Sequence, residues 1–93
     1  MGRLVFRVHA LQRMFERQIS VDDVASVLIR GKKIAEYPDD LPYPSYLMLG
    51  WRQDRPPHVV FAENREGNET VIITVYEPDD DLWEPGFERR KTL

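Results

Sequence analysis

His9, Arg13 and Arg17 recur at four-residue spacing in the run His9-Ala-Leu-Gln-Arg13-Met-Phe-Glu-Arg17. With His9 set at zero on a helix, Arg13 falls at about 40° and Arg17 at about 80°. One side of such a helix carries an imidazole, which exchanges a proton near neutral pH, and two guanidiniums, which suit bidentate contact with a phosphate. That pairing points to an anionic ligand. Ala10, Leu11, Met14 and Phe15 fall between about 100° and 240°, and this opposite side is expected to face the core. The second histidine, His58, opens one β-branched run and Tyr76 closes the next. Antiparallel pairing of those runs would bring both residues to one sheet edge.

The elements that must hold these residues can be read in order. Leu4-Val-Phe-Arg-Val8 reads as a first strand and His9 to Gln18 as a first helix. A second helix follows with concordant end signals. Ser20 stands at the N-cap and Asp23 at the capping-box position, while Ile19 and Val24 are spaced as a hydrophobic staple. Val21, Val24, Ala25 and Leu28 keep helical spacing, Arg30 suits the last turn, and Gly31 occupies the expected C′ position. Lys33–Tyr37, Tyr46–Trp51, His58–Glu63 and Glu69–Tyr76 read as strands. The proline-rich Asp39–Pro44 segment is irregular, and a turn is expected through Asp54-Arg-Pro-Pro57. Asn64-Arg-Glu-Gly-Asn68 reads as a hairpin loop whose glycine supplies a positive φ. In the last strand, Val71, Ile73 and Val75 are expected on one face, with Thr70, Ile72, Thr74 and Tyr76 on the other. The expected fold class is α+β, β-α-α-β-β-β-β, with two helices on one face of an antiparallel sheet.

Length and charge narrow the function classes. Ninety-three residues make one domain, expected over residues 1–88, with 89–93 a loose tail. The chain has no cysteine, which excludes disulfides and thiolate zinc sites. No run approaches the roughly 20 apolar residues of a membrane span, and the expectation is a soluble, cytoplasmic protein with no membrane partner. Net charge is −3, yet residues 1–33 carry seven Lys/Arg against three acids. The acidic excess therefore lies in the remainder, which argues against nonspecific nucleic-acid binding but leaves room for a local phosphate site. No Gly-rich phosphate loop, His-x-x-x-His pair or nucleophilic cysteine is present, so neither a metal nor a cofactor is expected.

The run His9-Ala-x-x-Arg-Met-x-x-Arg-x-Ile-Ser-x-x-Asp-Val24, with Gly31, Ile34-x-x-Tyr37, His58-Val-Val and Ile73-Thr-Val-Tyr76-x-Pro, resembles the domain of unknown function 4258 family over roughly residues 4–84. That family is similar in layout to the RelE and BrnT toxins of toxin–antitoxin modules. The resemblance implies a RelE-like fold and an RNA-directed, metal-independent ribonuclease, partnered by an antitoxin-like protein or by a second copy. Such cleavage uses the 2′-OH as nucleophile and needs a base, cations around the phosphorane and an acid for the leaving oxygen. On this reading His9, Arg13, His58 and Tyr76 form the catalytic set, and Arg17 and Tyr37 contact substrate.

Each residue also has an alternative. His9 could cap or pack its helix, Arg13 and Arg17 could pair with Glu16 or Asp22, and His58 could be satisfied locally. Tyr76 and Trp51 could be sheet-face aromatics, and Tyr37, Tyr43 and Tyr46 could pin the proline loop. The alternative function is a non-catalytic protein-binding module. In the tail, Trp83 and Phe87 are expected to fold back, and the acidic residues before them could cover the basic helix face in cis.

Overall fold

Seven elements follow in the expected order: β1 (Arg3–Phe6), α1 (Val8–Arg17), α2 (Val21–Arg30), β2 (Lys32–Tyr37), β3 (Ser45–Leu49), β4 (His58–Asn64) and β5 (Glu69–Tyr76). This computed structural model describes residues 2–51 and 56–92. The turn expected at Asp54 and Arg55 lies outside the described residues. The fold is α+β, two helices against a five-stranded sheet ordered β1-β5-β4-β3-β2. The β2 to β5 pairs are antiparallel as expected, but β1 pairs parallel to β5, so the sheet is mixed. Connectivity is the reason. The helix pair carries the chain from one sheet edge to the other, and three hairpin connections bring it back with β5 running in the direction of β1.

The helices are joined with almost no linker. At the end of α1, Gln18 takes a left-handed conformation (φ 56°). The Ile19 N–H donates to the Met14 carbonyl at 2.8 Å and the Gln18 N–H to the Phe15 carbonyl at 3.3 Å, a Schellman arrangement without glycine. Ser20 then caps α2 in a reciprocal box: its hydroxyl accepts from the Asp23 N–H, and the Asp23 carboxylate accepts from the Ser20 N–H. Ile19, between the two caps, is buried in the core with Met14 and Val24.

Beneath the helices, Ala10, Met14, Val24 and Val27 pack on Met48, Val59, Phe61, Ile72 and Val75. The alternation expected in β5 fails at one point. Val60 pairs with Thr74 and Phe61 with Ile72, so Ile73 is an extra residue in a bulge, and Ile72 and Val75 reach the same core. The apolar side of α1 is narrower than expected. Leu11 is 46% exposed and Phe15 87% exposed. α1 rests on β5 near the edge of the sheet, where the outermost strand β1 has only four residues, so only the Ala10–Met14 stripe has a surface to meet.

The opposite face of the sheet is also buried at Leu47, Leu49, His58 and Ala62. Residues 77–92 fold back here into a small hairpin. The Glu84 N–H donates to the Arg89 carbonyl at 2.8 Å and the Lys91 N–H to the Leu82 carbonyl at 2.9 Å, with Trp83 and Arg90 bridged. Ordered pairing thus reaches Arg90 and Lys91. Trp83 is buried as expected, but the segment lies on the face away from α1 and does not cover the basic helix.

Two glycine expectations are corrected. In the β4–β5 loop, Asn68 rather than Gly67 takes the positive φ, at 50°. Gly31 is extended (φ −76°, ψ −179°) and is needed for close approach instead. A Cβ there would stand 2.4 Å from the Val27 carbonyl oxygen and 2.6 Å from that of Leu49. Ser20→Ala is expected to lower stability by about 1 kcal/mol. Gly31→Ala, whose clash is with backbone atoms, should cost about 1–3 kcal/mol. Urea denaturation should show lower midpoints with unchanged slopes.

Candidate functional site

α1 presents two stripes to solvent. His9, Arg13 and Arg17 are all exposed, and Arg13 pairs with Glu16 at 3.2 Å, one turn along. An exposed pair of this kind contributes under about 1 kcal/mol, so it leaves the guanidinium available to a stronger partner. Alongside runs an apolar stripe of Val8, Leu11 and Phe15, the first of them 70% exposed. These sit at i, i+3 and i+7, the spacing by which a helix offers anchors to a partner. Arg7 caps α1 without a side-chain bond, and no acid stands in the first turn, so the positive end of the helix dipole adds to the field around His9.

His58 and Tyr76 do come together, as the sequence suggested. They are register partners at the β4–β5 edge, and the His58 Nδ1 lies 3.2 Å from the Tyr76 hydroxyl. His58 is completely buried. Its Nε2 lies 2.9 Å from the Phe87 carbonyl, which can only accept a hydrogen bond. The neutral ring therefore donates through Nε2–H to Phe87 and accepts at Nδ1 from Tyr76. The Trp83 ring closes over it edge-on, with centroids 4.5 Å apart. Burial holds the imidazole below its ordinary 6.5, partly offset by the bond to Phe87. Burial first, then the Tyr37 phenol, hold Tyr76 above the usual tyrosine range, with Arg90 pulling the other way.

The six sequence-derived residues thus divide between two faces. Val59 belongs to the core under the helices, so its neighbour His58 points away from them. The sheet separates His58 and Tyr76 from His9, Arg13 and Arg17. Tyr37 is a register partner of Ser45, on the His58 side of the sheet, and its phenol lies within electrostatic reach of that of Tyr76. Sequence reasoning did not find the groups that complete the His58 environment, the Phe87 carbonyl and the Trp83 ring; the available signal was Gly86, whose φ of 91° turns the hairpin that aims that carbonyl.

A cleft of about 390 Å³ opens beside this hairpin, lined by Arg30, Gly31, Trp51 and Glu88 among others. Another, of about 480 Å³, lies under Tyr43 and Tyr46. Among the described residues no three His, Asp or Glu side chains gather as a metal site would require, and no helix is long and apolar enough to cross a membrane.

Residues 6–77 match the family model described as a domain of unknown function, DUF4258. The chain belongs to that family. Neither a curated protein nor a solved structure matches it. The DUF4258 match contains α1 with its exposed residues, together with His58 and Tyr76, and stops at Glu77. The hairpin that seals His58 lies beyond it.

A histidine held neutral by burial makes folding acid-sensitive. The unfolded chain takes up a proton near 6.5 and the folded chain resists it, so this contribution is complete above about pH 6.5 and is lost as pH falls through that value toward the folded pKa. Unfolding free energy should fall with a slope approaching about 1.4 kcal/mol per pH unit for this one proton. A His58→Gln variant should be less stable at pH 8 and show a flatter profile between pH 7 and 5. Equal slopes in the two proteins would refute the assignment.

Proposed function

We propose that this DUF4258 domain is a cytoplasmic, non-catalytic protein-binding module whose working surface is α1. The observation that supports this best is the state of His58. Metal-independent RNA cleavage needs both a base and an acid near one phosphate. His58 has both ring nitrogens occupied, is closed off by Trp83, and lies across the sheet from His9. That leaves His9 as the one exposed imidazole, on an open helix surface.

The same helix has the features of a docking surface. Phe15, Leu11 and Val8 offer apolar area, and Arg13 and Arg17 flank it with positive charge, inside a chain that is otherwise acidic. The partner this fits is a protein segment with apolar anchors and acidic neighbours, packed against α1 helix to groove or helix to helix. The second reading is the toxin-like ribonuclease, favoured by the joint exposure of His9, Arg13 and Arg17 on one helix. In that reading these residues meet RNA, and His58 and Tyr76 take part once uncovered.

One experiment separates the two. The full chain is induced in cells with a photo-crosslinking residue in place of Phe15, alongside His9→Ala and Arg13→Glu variants of that protein. RNA integrity is read from the same cultures. The binding module requires intact RNA and a discrete protein adduct that Arg13→Glu reduces at least tenfold while His9→Ala retains it. RNA loss that disappears with His9→Ala would instead favour the ribonuclease.

A further inference from the structure

The hairpin of residues 78–92 touches the sheet the way a bound peptide touches a receptor. Internal backbone hydrogen bonds shape it, joining the Glu84 N–H to the Arg89 carbonyl and the Lys91 N–H to the Leu82 carbonyl. Arg90 stacks over its Trp83 ring at 5.7 Å, and Gly86 and Phe87, both with positive φ, form its tip. Its contacts with the sheet and neighbouring chain include two ring contacts, a backbone hydrogen bond and an ion pair. Trp83 lies edge-on against His58, the Phe87 carbonyl accepts from the His58 Nε2–H, the Phe87 ring lies 6.5 Å from Trp51, and Glu88 pairs with Lys32. A buried aromatic anchor, one backbone hydrogen bond and a peripheral ion pair are the parts of a peptide-recognition site. The receptor side of that site, His58, Tyr76, Lys32 and Trp51, lies within residues 6–77, the range of the family match, and the occupant lies outside it.

We infer that the sheet face opposite the helices is a second protein-binding site, which this chain fills in cis with its own C-terminal hairpin. The partner it accepts in trans is an acidic segment bearing a tryptophan anchor, followed a few residues later by a free backbone carbonyl and a carboxylate. The occupant supplies the pattern: the hairpin runs Asp79-Asp-Asp81-Leu-Trp83-Glu84 into its tip, and Glu88 beyond the tip pairs with Lys32 at the rim. The site is independent of the α1 surface. Each face can be occupied without the other, and binding on the sheet face requires the hairpin to leave.

The test uses the full-length chain and a fluorescein-labelled peptide of residues 78–92, with anisotropy as the readout. Trp83→Ala and Glu88→Lys weaken the built-in occupant and leave the groove untouched. The peptide should bind both variants at least tenfold more tightly than the wild type, whose own hairpin competes. A peptide carrying Trp83→Ala should bind neither. Hydrogen exchange in the wild type should show the Leu82, Trp83 and Lys91 amides opening faster than those of β4 and β5, as a unit that leaves while the sheet stays closed. Should Trp83→Ala fail to fold, Glu88→Lys, whose side chain is half exposed at the rim, carries the same comparison. The inference is overturned if the peptide binds no folded variant, or if hairpin and sheet amides exchange together at one rate. Peptide-independent dimers in the variants, with exchange of hairpins between copies, would also overturn it in favour of a swapped dimer.

Discussion

A sheet with apolar residues on both faces has to be covered twice. That requirement organises this molecule. Met48, Val59, Ile72 and Val75 need one cover, and Leu47, Leu49 and Ala62 need another. Two ten-residue helices supply the first. Among the described residues after β5, a short hairpin helps close the second face. It does so with the Trp83 ring and with polar contacts at its tip and rim, unlike the apolar packing on the helix side. A layer held through a ring and polar contacts can open separately from the apolar helix layer, because local stability follows local packing.

The helix layer shows how two elements of modest length cross the whole width of the sheet. Joining them through the Gln18–Ser20 corner limits loop entropy and supplies cap hydrogen bonds to the end of α1 and the start of α2. Ile19 serves both caps at once, as the apolar contact of the first and the staple of the second. The tight corner also fixes where α1 lies, above β5 near the sheet edge. Its outer flank faces solvent, with Phe15 and Leu11 exposed beside the basic stripe.

His58 shows why burial changes the meaning of a residue. In water an imidazole near neutrality is a proton-transfer group; enclosed between Tyr76, Trp83 and Phe87 it is a neutral donor and acceptor that links strand to hairpin. The penalty on its charged form makes it a poor base and a specific structural bond. The same contacts give the hairpin its orientation, since the left-handed residues at its tip aim the Phe87 carbonyl at Nε2.

How much of this was legible in the chain depends on the range of the interaction. The seven elements and their order, the capping box at Ser20, the staple between Ile19 and Val24, and the meeting of His58 with Tyr76 all follow from neighbours in sequence or from a single hairpin register. The return of Trp83 to the domain was likewise signalled by an aromatic in an acidic tail. The bulge at Ile73, the parallel β1 edge, the exposure of Phe15, and the separation of His9 from His58 were not. Periodicity states that a residue has an apolar side but not whether anything will lie against it, and which face of a sheet a residue joins changes with one bulged position. The chain by itself determined the elements and their ends, because those are set by hydrogen bonds and side chains a few residues apart. Only the tertiary structure decided which groups share a surface, because that depends on long-range pairing and on what is available to cover each face.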